Sequence, residues 1–264
     1  MAFPTILYGP ESEVYNTYAA VSPAPGDNGS GGQIAQRGRL PLGQQLVLAD
    51  GRKFRFALAG ATTLVVGNMV QAPAAVATDE DLTPAAGAIN DRIITFTHGA
   101  ATTVINIFAE GSGVISVTPG GGDAYKIASH AALRNATAGD VINLAPGQAL
   151  RRAITTTSRL DLSQHPYGSV VQTPVTTITG VPVGAVIAAI TNAQFGWLQT
   201  RGLGGVLTSG TLVRGTRCVV PAGAAGAVAP ETAVVANVNI EITVGTVHAV
   251  AATTAWSTIF LQID

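Results

Sequence analysis

The chain has 264 residues, of which 47% are hydrophobic and 11% charged, and its formal net charge is −1. An ordinary globular protein carries roughly 25% charged residues, so long-range attraction for nucleic acid or an anionic membrane is weak here. A single cysteine, Cys218, excludes an intramolecular disulfide framework and any Cys-cluster zinc site. Solubility then rests on Ser, Thr, Asn, Gln and exposed backbone, or on assembly that covers apolar faces. Only two lysines, Lys53 and Lys126, occur, so nearly all positive charge is arginine. That bias suits protein–protein contacts, because a guanidinium is weakly hydrated and binds in fixed forks; a GC-rich coding sequence gives the same bias.

The N-terminus has neither a basic n-region nor a long apolar run, so no secretory signal is expected. Residues 1–50 differ in composition from the rest of the chain. They hold Phe3, Tyr8, Tyr15 and Tyr18, then a Gly/Pro-rich patch at residues 22–32 (SPAPGDNGSGG), then a segment with Arg37 and Arg39. Gly and Pro at that density prevent regular structure, and the pattern reads as an extended N-terminal arm with a hinge. Its aromatic anchors are of a kind that dock on a neighbouring subunit.

From residue 51 onward the β signals are dense. Phe54, Phe56 and Leu58 alternate with Arg55 and Ala57, the period-two pattern of a half-buried strand. Strands are expected at residues 93–97 and 103–108, joined through His98-Gly99-Ala100-Ala101, and at 113–118, closed by Pro119 and three glycines. Residues 125–133 are the best short helical candidate. Residues 162–200 contain no Asp, Glu, Lys or Arg. Pro166, Pro174 and Pro182 break that stretch, so it is not a spanning helix but strands and turns of a core, or of a surface that another protein covers. Further strands are expected at 170–173, 206–208, 217–220, 234–244 and 256–263. The phrases GNMVQAP (67–73) and GDVINLAP (139–146) mark repeated turn-into-strand corners. The expected fold is all-β, a sandwich or barrel with the N-terminal arm, in which residues 51–264 form one β-rich domain or two β subdomains.

A search for chemistry gives little. His98, His130, His165 and His248 form no compact metal pattern. There is no G-x-S-x-G elbow, and the glycine-rich loops lack a following helix and a Lys-Ser/Thr ending. Asp79-Glu80-Asp81 reads as a solvated turn or a weak calcium contact. A pair of carboxylates brought together from distant strands is beyond what spacing tests. Arg151 and Arg152 lie close to Arg159, but a nucleic-acid groove wants interleaved aromatics and a basic balance as well. These arginines are read instead as inter-subunit salt-bridge partners, and Cys218 as buried and inert. Phe195 and Trp197 are expected as core or interface anchors, core first. No catalytic residue, metal ligand or cofactor is expected.

Several phrases occur in a suggestive order: FAEG (108–111), DAYKI (123–127), TTTS (155–158), HPYG (165–168), VPVG (181–184), FGWLQ (195–199), GTLVRG (210–215) and IFLQI (259–263). In that order the chain from about residue 51 to 264 resembles the capsid decoration (cement) proteins of tailed bacteriophages. The resemblance implies a structural virion protein on the outer surface of the expanded head that bridges major capsid protein subunits. It implies no catalysis, and no nucleic acid or membrane as partner. A homotrimer is the favoured assembly, a dimer the other. In that setting Phe3, Tyr8, Tyr15, Tyr18, Arg37, Arg39, Arg151 and Arg152 are the candidate capsid or subunit contacts. A tail-fibre or receptor-binding β module is the alternative, and a carbohydrate-active enzyme a weaker one.

Overall fold

Alternating burial along the chain sets the architecture: strand after strand presents every second side chain to a core. The computed structural model describes residues 6–19, 40–176, 178–231, 242–252 and 254–264. Among them the protein is all-β, and the only helical pieces are two 3-10 turns, Glu11–Tyr15 and Ala77–Asp79. The chain divides into two units, the first of which includes Leu40–Pro73 and Pro166–Asp264 and the second Ala74–His165.

The chain opens in unit one with β1 (Ile6–Tyr8), β2 (Tyr18–Ala19), β3 (Gln45–Val47), β4 (Lys53–Leu58) and β5 (Met69–Gln71). Unit two then runs through β6 (Thr83–Pro84), β7 (Ile93–Thr97), β8 (Ser112–Val117), β9 (Ala124–His130), β10 (Ala138–Leu144) and β11 (Arg159–Ser163). The chain returns to unit one with β12 (Val171–Gln172), β13 (Pro182–Val186), β14 (Gln194–Leu207), β15 (Arg217–Val219), β16 (Ala229–Pro230), β17 (Thr243–Ala249) and β18 (Trp256–Gln262).

In unit one the hydrogen-bonded order is β1-β3-β4-β14-β18-β17-β15-β16, and β13 joins β14 to β5 and, through it, to β12. The 14-residue β14 is the hub. It pairs antiparallel with β4, β18, β13 and β2. Its segment from Phe195 to Thr200 is buried throughout because it carries core on both faces. On one face Phe195 and Trp197 pack with Phe54, Phe56, Leu46 and Val14. Phe56 stacks on Phe195 at 5.4 Å and meets Trp197 edge-on at 5.1 Å between ring centroids. Leu198 belongs to a second cluster with Leu64, Val70, Val183 and Ile190. Val206 and Cys218 lie in a third with Val244, Val247, Ile259 and Leu261. Each such side chain contributes about 1.5–3 kcal/mol on burial.

The boundary drawn at residue 50 does not coincide with this packing. β1 pairs in parallel with β3, β3 pairs with β4, β2 pairs with β14, and Val14 is fully buried in the aromatic cluster. The described parts of residues 1–50 are therefore strands and a turn of unit one. The hinge at 22–32 lies outside the described residues, as does most of the strand expected at 234–244.

Unit two is a six-stranded sheet ordered β11-β8-β9-β10-β7-β6. Its core holds Ile94, Phe96, Phe108, Ile115, Tyr125, Ile127, Ile142 and Leu160. Two expectations are corrected here. Residues 125–133 are not a helix: β9 occupies Ala124–His130 between β8 and β10. Residues 103–108 are not a strand either. Thr103 makes one bridge to Leu133, and the chain then turns, with Asn106 and Glu110 at positive φ (58° and 64°). β7 accordingly pairs with β10 and β6 rather than forming a hairpin through His98-Gly99.

Candidate functional site

The residues singled out in the sequence do not converge on one place. Phe3, Arg37 and Arg39 lie outside the described residues. Tyr8 ends β1 with 80% of its surface exposed, and Tyr15 ends the 3-10 turn at 53%. Tyr18 is tied down instead: its hydroxyl donates to Glu13 and its ring lies 5.9 Å from Phe56. Phe195 and Trp197 are buried in the aromatic cluster described above.

Arg151 and Arg152 belong to unit two and both approach Asp123. Arg152 Nε donates to Asp123 Oδ2 at 3.0 Å, and Arg151 Nε lies 3.6 Å from Oδ1. Arg152 Nη2 also donates to the carbonyls of Gly120 and Gly121, while Arg151 lies over the Tyr125 ring at 5.2 Å. The hydrogen bond from Arg152 holds the Asp123 carboxyl below the usual carboxylate range. Both guanidiniums therefore pair within their own unit, with more than half of each side chain still exposed.

Residues that, Tyr15 apart, were not proposed as a site from the sequence build a hollow of about 330 Å³ on unit one. It is lined by Tyr15, Arg52, Gln199, Leu203, Gly204, Gly205 and Trp256, with Val66, Val186 and Ile187. Its wall is the β14–β18 ladder, in which Leu203 faces Phe260, Gly205 faces Thr258 and Leu207 faces Trp256. A register shift between Gln199 and Arg201 opens the strand at this point. The Gln199 side chain folds into that irregularity, where Nε2 donates to the carbonyls of Arg201 at 3.1 Å and Leu203 at 2.9 Å. Both amide hydrogens are thus committed, which fixes the orientation of the amide.

The hollow exists because side chains are missing from its wall. A Cβ on Gly204 would stand 2.9 Å from Gln199 Oε1, whereas one on Gly205 would meet nothing within 4 Å. Glycine inside a strand commonly marks such a close approach, and the GLGG run at 202–205 is the signal in the sequence that points here. Trp256, 59% exposed, sits against Gly67, where a Cβ would come within 2.1 Å of the indole nitrogen. Arg52 Nη2 donates to Glu11 Oε1 at 2.6 Å and Arg52 Nε to Asp50 Oδ2 at 2.5 Å. One guanidinium thus serves two carboxylates, and this corner has no net positive charge to offer.

The polar residues of unit two with chemical potential are committed to structure. Asp79 is not part of a solvated turn, as expected from the sequence, but is buried. His98 Nε2 lies 2.9 Å from Asp79 Oδ1, and His98 Nδ1 lies 3.0 Å from the Ala101 carbonyl, to which only a protonated nitrogen can bond. Asp81 is exposed and pairs with Arg159 at 3.2 Å. His130 Nδ1 donates to the Ala131 carbonyl at 2.6 Å, and Nε2 accepts from the Phe108 N–H at 3.0 Å. Burial pushes the His130 pKa below its ordinary 6.5. Cys218, in unit one, is fully buried, and burial raises its thiol to about 12. Among the described residues no group of three His, Cys, Asp or Glu is placed to hold a metal ion.

Comparison of the chain with protein-family models, with curated proteins and with solved structures finds no match.

Proposed function

We propose that the protein is a structural virion protein that binds the outer surface of the expanded phage head, bridges major capsid protein subunits and stabilises the shell against the pressure of packaged DNA. Two things support this reading. The first is the order of the short phrases between residues 108 and 263 that resemble cement proteins. The second, and the observation that carries it, is the exposure of large apolar side chains on unit one: Tyr8, Leu203, Trp256 and Phe260 stand on an extensively paired sheet, and Tyr15 on the 3-10 turn beside it. Aromatic side chains on a stiff support are efficient contact groups, because they bury much area at little entropic cost.

In this reading the partners are the major capsid protein and further copies of the chain, a homotrimer first and a dimer second. No residue is catalytic and no cofactor takes part. Tyr8 and Tyr15 are contact residues, whereas Phe195 and Trp197 support the sheet from within. The reading is tested by adding the protein to expanded heads that lack it and following DNA release on heating. The rupture temperature is expected to rise with added protein and then level off. An unchanged rupture temperature at saturating protein contradicts the proposal.

A further inference from the structure

We propose that the hollow on unit one is a binding site for a neutral pyranose sugar, an activity beyond attachment to a capsid and independent of it. A pyranose ring has an apolar face of C–H groups and an equatorial rim of hydroxyls. Its recognition needs an aromatic surface for the first and rigidly aimed polar groups for the second. Trp256 and Tyr15 supply exposed aromatic surface, at 59% and 53%.

Gln199 supplies the aimed polar group. Its residue is only 1% exposed, its two amide hydrogens are held by the carbonyls of Arg201 and Leu203, and it lines the hollow. Oε1 is left without a donor among the described residues, so it is a pre-oriented acceptor for a hydroxyl. Such an acceptor costs little further ordering when a ligand arrives. Gly204 and Gly205 leave the wall bare next to it, and a Cβ at 204 would crowd Oε1 at 2.9 Å.

The charge balance selects the class of ligand. Arg52 is the cation of the hollow, and it is paired with both Glu11 and Asp50. Two carboxylates around one guanidinium disfavour a phosphate, a sulfate or an acidic sugar. The Arg52 Nη1 hydrogens have no partner among the described residues and remain as donors to a hydroxyl. A purely apolar peptide side chain would leave Gln199 Oε1 covered and unpaired, which is costly.

The chain itself provides the reporter. It has two tryptophans, of which Trp256 lines the hollow and Trp197 is buried elsewhere in the unit. The test is titration of the full-length, nitrogen-15-labelled protein with methyl glycosides of glucose, galactose, mannose and N-acetylglucosamine, and with the acyclic polyol sorbitol, while the two indole N–H resonances are followed. At least one glycoside is expected to move the Trp256 resonance saturably, with a dissociation constant of about 1–10 mM. Trp197 stays in place, and sorbitol has no effect.

Gly205→Leu places a side chain into open space on the wall, so it is expected to weaken binding at least tenfold, a factor set by the block, without moving Trp197. If that variant misfolds, Trp256→Ala serves instead, followed through the Gly204 and Gly205 amides. The proposal is overturned if no glycoside moves Trp256 at ten times that concentration. It is equally overturned if the Trp256 shift survives undiminished in Gly205→Leu, if the Gly204 and Gly205 amide shifts survive in Trp256→Ala, or if sorbitol or a hydrophobic peptide produces the shift as well as a pyranose does.

Discussion

His130 offers the sharpest test of how unit two is held together. Its ring joins β9 to the turn that precedes β8, and both nitrogens are committed: Nδ1–H to the Ala131 carbonyl at 2.6 Å and the Nε2 lone pair to the Phe108 N–H at 3.0 Å. The backbone N–H of His130 donates to Asn106 Oδ1 at 2.8 Å, which closes the same turn. Only the neutral ring with hydrogen on Nδ1 fits. A second proton on Nε2 would face an N–H donor in a buried site. Desolvation is the main cause of the lowered pKa; the neighbouring His98 works in the same direction, and Asp140 and Asp79 work against it. The unfolded chain therefore takes up a proton near pH 6.5 that the folded unit refuses. Stability from this residue is complete above about pH 7 and falls as pH drops from 6.5 towards the folded pKa, by up to about 1.4 kcal/mol per pH unit. In His130→Gln the amide oxygen reaches the place of Nε2 and accepts from Phe108 without titrating, so this part of the slope is expected to vanish. Both tryptophans lie in the other unit, so fluorescence does not report on it. The assay is hydrogen exchange by mass spectrometry in peptides spanning residues 124–144, between pH 8 and 5.5, corrected for intrinsic exchange. Equal slopes in wild type and His130→Gln would refute the reasoning.

Unit one yields three further expected outcomes. Cys218, with its thiol raised to about 12 by burial, is expected to resist an aromatic disulfide reagent at pH 8 and to react only on unfolding; prompt stoichiometric labelling contradicts its burial. Asp264 accepts from Arg55 Nε at 2.6 Å and Nη2 at 2.8 Å, and that pairing holds its carboxyl below the usual range. The bridge is partly exposed, so Asp264→Asn is expected to cost about 0.5–1 kcal/mol. Because the folded pKa is depressed, the difference is complete above about pH 4 and shrinks as pH falls through the folded value; urea unfolding followed by tryptophan emission at pH 7 and pH 3 reads it. Phe56→Ala removes a ring packed against both Phe195 and Trp197 and is expected to cost about 3–5 kcal/mol. A loss below about 1 kcal/mol in the same urea assay contradicts that packing.

Much of the fold was legible where side-chain alternation is uninterrupted. β4, β7, β8, β15 and β18 stand within a residue or two of their expected places; buried and less buried side chains alternate along β7, β8 and β18, whereas β4 buries Phe56 and Ala57 together and β15 buries Cys218 and Val219. β9 was not legible as a strand. The register shift between Asn143 and Leu144 on its partner breaks the alternation, so burial falls at Tyr125, Ile127 and His130 rather than at every second residue. The apolar run at 103–108 has strand composition, but its direction is set by positive φ at Asn106 and by the bonds from His130. β14 was expected as a strand only at its C-terminal end, at 206–208, since Gly202, Gly204 and Gly205 lower strand propensity where the strand gives up side chains to make the hollow. Of the hollow itself, Tyr15 was singled out in the sequence. Gln199, Trp256 and the glycines were not, because a bulge and a cross-strand register bring them together over tens of residues. How the N-terminal tyrosines divide was not legible: the Tyr18 ring meets Phe56 with 37% of the residue still exposed, whereas Tyr8 and Tyr15 are more exposed.

The capsid-binding claim is tested most directly by co-sedimentation of the purified protein with expanded heads that lack it, beside unexpanded procapsids. The account expects saturable binding to expanded heads alone, at a fixed ratio to the major capsid protein. Binding to neither particle, or equal binding to both, would contradict it.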